Sequence, residues 1–164
     1  MSHLTGDLKK MTRKKLTSKV YIGFGSNLGD RRKNIESAYA LIRQHCYIEL
    51  VRHTSFKETK PWGVTDQPLF INSIAEIKTS LTPCELLKEL KIIEKKSGRG
   101  KVIKRWGPRV IDLDILLFNS VILNTPDLKI PHIQLTNRDF IIDQLLELDP
   151  DIVHPLHAVP LKKL

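Results

Sequence analysis

The chain reads as an α+β domain with a ferredoxin-like βαββαβ core: a mainly antiparallel sheet with helices packed on its faces. Three observations predict it. Short apolar runs of strand length alternate with two amphipathic stretches of helical period, in the order strand, helix, strand, strand, helix, strand. Both helical stretches open on residues suited to cap them. A final apolar run, residues 110–118, carries two aspartates on one face of a strand.

The elements follow in order. Residues 1–19 have no hydrophobic pattern and are expected to form a basic flexible arm or tag-like extension, ahead of a single domain over residues 20–164. Val20 to Phe24 is a short strand, ended by Gly25-Ser26-Asn27. Asp30 caps a helix to about His45, with Ile35, Ala38, Leu41 and Ile42 inward. Ile48 to Lys57 reads as a strand, Thr59 to Pro68 as a Pro/Gly loop, and Phe70 to Lys78 as a second strand. Thr82-Pro83-Cys84-Glu85 has capping-box spacing with Pro at the first helical position. That helix turns Leu86, Leu87, Leu90 and Ile93 inward and ends near Lys96. After the di-aspartate strand come a short strand over Ser120 to Leu123 and a last helix from Thr136 or Asn137 to about Leu148.

The di-aspartate strand is the most informative segment. Residues i and i+2 of a strand share a face, roughly 6.5–7 Å apart. Ile111, Leu113, Ile115 and Leu117 then bury on one face, while Asp112 and Asp114 stand on the other with Val110 and Leu116. Adjacent anions repel and cost desolvation, so positive charge is expected beside them. Arg105 and Arg109 could supply it in ordinary salt bridges. Two Mg²⁺ ions fit better, because hard cations take carboxylate oxygens and a two-metal phosphoryl-transfer site needs bridging groups of this kind.

The flanks favour phosphate chemistry. From Lys95 to Arg109 there are seven basic residues and no acidic one, broken by Gly98 and Gly100 and ending in the turn-like Trp106-Gly107-Pro108. A cationic loop feeding a carboxylate pair suits transfer of a polyphosphate group. Its like charges predict a loop over 97–108 that is open without ligand and closes over bound phosphates. Gly23-Phe-Gly-Ser-Asn-Leu-Gly29 has one residue too many for a dinucleotide fingerprint, and no phosphate-binding P-loop motif occurs.

Arg105-Trp-Gly-Pro-Arg-x-x-Asp-Leu-Asp-Ile closely resembles the signature of the 6-hydroxymethyl-7,8-dihydropterin pyrophosphokinase family of folate biosynthesis. The resemblance extends, in family order, over Gly25-Ser-Asn-Leu28, Thr59-x-Pro61-x-Gly63, Asp66-Gln-Pro-x-Phe-x-Asn72, Glu94, Pro131-His132 and Asn137-Arg138-x-Phe140. It implies transfer of pyrophosphate from the co-substrate ATP to 7,8-dihydro-6-hydroxymethylpterin. Asp112 and Asp114 would hold two Mg²⁺, and Arg99 and Arg109 would stabilise charge during transfer. Glu94, Lys101, Trp106, Ile115, His132 and Arg138 would serve the nucleotide side. Thr59, Pro61, Trp62, Phe70, Asn72 and Phe140 would hold the pterin, with Phe70 and Phe140 on either side of its ring and the Asn72 amide at its edge.

On the residues alone, Phe70 and Phe140 read first as core aromatics, His132 equally well as a loop histidine, and Glu94 as a solvated helix-end residue. Lys60, Trp62, Phe70, Lys101 and Ile133 depart from the commoner family residues. No side chain is an obvious general base. In some organisms the domain is fused to neighbouring folate enzymes, and a fragment of such a fusion is the alternative to a free-standing domain.

Composition sets bounds. The chain has 164 residues, 41% hydrophobic and 27% charged, as expected of one globular domain. No apolar run approaches the roughly 18 residues of a membrane span. The net charge of +9 is concentrated: residues 1–19 carry six Lys/Arg against one Asp, and the 95–109 loop carries seven more. The remainder is slightly acidic, which argues against a nucleic-acid surface. Cys46 and Cys84 have no metal-ligand spacing and suit a reduced compartment. The expectation is a cytoplasmic monomer acting on small molecules, without nucleic acid or membrane. The competing class is a binding or regulatory module that kept the fold and lost the reaction. The presence of both aspartates and both arginines argues against it.

Overall fold

The computed structural model describes residues 15–98 and 106–164. Its elements are β1 (Ser18–Ser26), α1 (Arg31–Gln44), β2 (Ile48–His53), β3 (Lys57–Thr59), β4 (Phe70–Thr79), α2 (Pro83–Lys96), β5 (Asp112–Phe118), β6 (Leu123–Asn124), β7 (Lys129–Ile130), α3 (Asp139–Leu148), β8 (Val153–His154) and β9 (Val159–Pro160). The main sheet runs β2-β4-β1-β5, with β3 paired farther along β4. Every pairing in it is antiparallel. This is the ferredoxin-like arrangement, with the first and third core strands in the centre.

The helices form where the caps predict. Asp30 accepts from the Lys33 N–H at 3.2 Å. In α2 the Thr82 hydroxyl accepts from the Glu85 N–H at 3.2 Å, and the Glu85 carboxylate accepts from the Thr82 N–H at 2.8 Å. Both helices cover one face of the sheet: Ile35, Ala38, Tyr39, Ile42, Leu86, Leu90 and Ile93 pack against Val20, Ile22, Phe24, Leu113 and Ile115. On the other face α3 sets Ile141, Leu145 and Leu148 against Tyr21, Ile74 and Leu116. The sheet is thus buried on both sides, and its functional residues must emerge at an end.

Several boundaries differ from the sequence reading. β1 begins at Ser18, so the last two residues of the expected arm lie in the sheet. The expected strand Ile48 to Lys57 is two strands. Thr54 exchanges backbone and side-chain hydrogen bonds with Ile74, both at 2.9 Å, and leaves the ladder before β3 resumes it. Leu117 does not alternate with Leu116. A register shift between Tyr21 and Ile22 leaves one extra residue in β5. Leu116 and Leu117 therefore both enter the α3-side core, and Phe118 returns to the other. The strand expected at Ser120 starts only at Leu123, because Asn119 turns at φ 46°. The last helix starts at Asp139, since residues 134 and 135 are held in a turn by the His132 ring nitrogen and carbonyl.

Candidate active site

A cleft of about 340 Å³ opens where the ends of β1, β4 and β5 meet the 59–62 loop, Trp106–Arg109, the turn after His132 and the start of α3. Its floor follows from strand register. Gly25 of β1 lies opposite Asn72 of β4 on one side and opposite Asp112 of β5 on the other. Gly23 likewise separates Ile74 from Asp114. The two glycines leave the floor bare between an amide and two carboxylates. A Cβ on Gly25 would stand 3.1 Å from the Asn72 Oδ1, closer than ordinary contact.

Alternation puts Asp112 and Asp114 on the cleft side while Leu113 and Ile115 are buried beneath. Arg109 Nη1 lies 3.1 Å from Asp112 Oδ1, so one of the anticipated salt bridges forms. Asp114 lines the cleft and keeps 42% of its side-chain surface exposed. Burial by the walls raises its pKa to about 8, and the negative charges of Asp112 and Glu94 push the same way. Such a carboxylate calls for a cation. Among the described residues no group of three or more His, Cys, Asp or Glu gathers to hold a metal. Two carboxylates with the rest of the shell left to phosphate and water is a donor set that suits Mg²⁺.

His132 Nε2 sits 3.9 Å from Asp114 Oδ1. Burial and the nearby Arg138 hold its pKa below the ordinary histidine range, so near pH 7 it is a neutral hydrogen-bonding group. The Arg138 guanidinium lies 5.3 Å from the Trp62 ring, and its Nε is buried without a hydrogen-bond partner. A phosphate oxygen would satisfy that donor.

Phe70, Phe140, Asn72, Thr59 and Trp62 also line the cleft. The Asn72 Nδ2 donates to the Thr59 hydroxyl at 2.5 Å, which orients the amide. Gln144 of α3 donates to the Asn72 carbonyl at 3.2 Å and fixes the strand behind it.

The structure therefore gathers Arg109, Asp112, Asp114, Trp106, His132, Arg138, Thr59, Trp62, Phe70, Asn72 and Phe140 around one cleft. Three expected residues do not line it. Ile115 packs in the core, because strand alternation turns it away from Asp114. Pro61 stands between two lining residues, Lys60 and Trp62. Glu94 is not a solvated helix-end residue: it is 2% exposed, and its Oε1 accepts from the Leu113 N–H at 2.9 Å. Arg99 and Lys101, with most of the expected lid, lie outside the described residues.

Two residues that lie within the motifs of the resemblance, but not among the expected site residues, stitch the walls together. Asn27 is buried, and its Oδ1 accepts from the Arg109 N–H at 2.7 Å while its own N–H donates to the Arg109 carbonyl at 3.0 Å. Its Nδ2 donates to Gln67 Oε1 at 2.9 Å and to the Pro68 carbonyl at 3.0 Å. Gln67 Nε2 in turn donates to the carbonyls of Val64 at 2.6 Å and Trp106 at 2.7 Å. Trp106 adopts φ 64°, a left-handed conformation that costs a non-glycine residue about 1–2 kcal/mol. Its ring leans on Gly63, where a Cβ would meet it at 3.1 Å. The signal was Asn27 beside the glycine turn and Gln67 in Asp66-Gln67-Pro68, but neither shows its partner in sequence.

The family model described as 7,8-dihydro-6-hydroxymethylpterin-pyrophosphokinase matches residues 21–150. The 2-amino-4-hydroxy-6-hydroxymethyldihydropteridine pyrophosphokinase of Aquifex aeolicus is 42% identical over 144 residues, 88% of each chain. That of Bacillus subtilis is 44% identical over 128 residues, 78% of this chain and 76% of the relative. The folic acid synthesis protein fol1 of Schizosaccharomyces pombe is 38% identical over 87% of this chain, which spans 19% of that longer protein. Among solved structures, the Plasmodium falciparum HPPK-DHPS with pteroate superposes with a TM-score of 0.71 at 15% identity, over 92% of this chain and 42% of that one. At that identity the likeness concerns the fold.

Proposed function

The chain belongs to the 7,8-dihydro-6-hydroxymethylpterin-pyrophosphokinase family, and from that premise we propose how its cleft performs the family's reaction. The enzyme transfers pyrophosphate from ATP to the 6-hydroxymethyl group of 7,8-dihydro-6-hydroxymethylpterin, a step of folate biosynthesis. One observation carries the assignment of roles. Asn72, Gly25 and Asp112 lie side by side across three strands, so a ring reader and a cation-binding carboxylate share one floor.

In this reading the pterin enters between Phe70 and Phe140, its edge read by Asn72 and its position limited by Thr59 and Trp62. The hydroxymethyl group then points along the bare glycine floor toward the aspartates. Asp112 and Asp114 would hold two Mg²⁺, which when bound offset phosphate charge and align the polyphosphate. Arg138 and the neutral His132 hold phosphate oxygens on the far wall. With Asp112 and Asp114 engaged in holding cations, Arg109 would be free to face the phosphates. The hydroxyl oxygen bonds to the β-phosphorus as the bond from that phosphorus to the α-bridging oxygen breaks. AMP leaves with that oxygen, and the hydroxyl proton passes to phosphate or solvent. Positioning and charge stabilisation supply most of the rate.

We also take the enzyme to act as a cytoplasmic monomer on small molecules alone. Among the described residues no helix is long and apolar enough to cross a membrane. Cys46 and Cys84 are exposed free thiols. The test of function is AMP release from Mg-ATP, followed with and without the hydroxymethyl dihydropterin. Release that depends on the pterin is expected. Release at the same rate without it would overturn the assignment.

A further inference from the structure

We infer that Asn27 and Gln67 are positioning residues that join the pterin-side loop to the Trp106–Arg109 segment, so that occupancy of the pterin slot strengthens nucleotide binding. The inference rests on the functional reading above.

The geometry carries it. Asn27 uses its backbone N–H and its side-chain oxygen to grip both polar groups of the Arg109 peptide unit, at 3.0 and 2.7 Å. The same side chain passes its two amide protons to Gln67 and to the Pro68 carbonyl. Gln67 continues the chain with both of its own amide protons, one to Val64 and one to Trp106. Each side-chain amide therefore has its oxygen and both amide protons engaged, and each contacts both segments or links to the other. These partners lie 40 and 82 residues apart along the chain for Asn27, and 39 apart for Gln67 and Trp106.

The second link is steric. Trp106 stands against Gly63 with no room for a side chain between them, and its left-handed backbone is held by Gln67 at its carbonyl. Trp62, next to Gly63, lies under the Arg138 guanidinium. A pterin that moves Trp62 and Gly63 must therefore move Trp106 or strain it. Trp106–Arg109 leads directly to the carboxylates that meet the phosphates. Neither Asn27 nor Gln67 lines the cleft, so their contribution is coupling between subsites.

The experiment measures binding of α,β-methylene-ATP with Mg²⁺ by calorimetry, with and without saturating hydroxymethyl pterin. It uses the wild type and the Asn27→Asp and Gln67→Glu variants. Asn27→Asp keeps the acceptor for the Arg109 N–H and loses both donated bonds; Gln67→Glu keeps the acceptor for Asn27 and loses both donors. In the wild type the pterin should tighten nucleotide binding about tenfold or more, within the usual range of intersite coupling. In either variant that factor should fall below about threefold, while each ligand bound alone stays within about threefold of wild type. An Asn27→Asp/Gln67→Glu double variant should lose no more coupling than the singles, since they interrupt one chain. A variant that unfolds would lower both single-ligand affinities together, and then Asn27→Ser and Gln67→Met carry the same comparison. Full coupling in folded variants would overturn the inference, as would a wild type whose two ligands bind independently. If neither ligand binds, the functional reading itself falls, and this inference with it.

Discussion

Glu94, at the C-terminal end of α2, accepts a hydrogen bond from the Leu113 N–H at 2.9 Å, directly beneath the strand between Asp112 and Asp114. A carboxylate from the helix layer thus sets the height of the strand whose own carboxylates face the cleft. Its Oε2 lies 3.5 Å from Lys91, which offsets part of its charge. Glu94→Ala should cost about 1–3 kcal/mol of stability, because a buried backbone donor loses its acceptor. Glu94→Gln keeps that acceptor and should cost less than half as much. Chemical denaturation of the two variants checks the order; equal losses would mean that charge, not the hydrogen bond, is what matters here.

Removing the carboxylates proposed to hold cations should separate activity from stability. Asp114→Asn replaces a carboxyl that the folded chain holds largely protonated at pH 7 with a neutral group of the same shape, so the ligand-free chain should melt no lower than wild type at pH 7. Turnover should nonetheless drop by on the order of 10²–10³ or more, the scale of losing one preorganised electrostatic contact in a transition state. Steady-state kinetics beside thermal melts decide this. A variant with near-normal turnover at ordinary Mg²⁺ would sink the assignment of these carboxylates.

The pH dependence has a definite sign. Asp114 rises from an ordinary 3.8 to about 8 in the folded chain. The folded state therefore holds this proton more tightly than the unfolded state. Its stabilising contribution is complete below about pH 4 and is lost as pH rises through about 8. A Mg²⁺ ion must displace the same proton, so Mg²⁺ affinity should climb with pH from 6 to 8, by at most about tenfold per unit. Melting-temperature shifts against Mg²⁺ concentration at pH 6, 7 and 8 measure it. Asp114→Asn should remove the trend; an unchanged trend in that variant would place the titrating group elsewhere.

Measured one ligand at a time, a change at the pterin side should leave nucleotide binding nearly unaltered. Phe140→Ala removes one proposed wall of the slot and should weaken pterin binding by about 1–3 kcal/mol, or roughly fivefold to 150-fold, from lost stacking and burial. Nucleotide binding measured alone should change by less than about threefold. Gly25→Ala makes a sharper probe, since its Cβ would press on the Asn72 amide at 3.1 Å. It should weaken the pterin both by shifting the Asn72 amide and by filling the bare floor of the cleft. Fluorescence titration with hydroxymethyl pterin reads both variants.

Much of this protein is written locally. The Asp30 cap and the Thr82–Glu85 box act over three residues, and both formed as read. The shared face of Asp112 and Asp114 needed only strand alternation, which relates residues two apart. What the tertiary structure alone decided involves distant partners. The extra residue in β5 that turns Leu117 to the other core depends on its register with β1. The burial of Glu94 depends on where α2 crosses β5, and the approach of His132 to Asp114 on a turn that follows a separate hairpin. Asn27 meets Gln67 and Arg109 across 40 and 82 residues. Spacing and caps are short-range and show in any window of sequence. Register and long-range hydrogen bonds are settled only when competing pairings are compared in the packed whole, so the sequence by itself identified the chemistry of the cleft, and the fold determined how its two halves are joined.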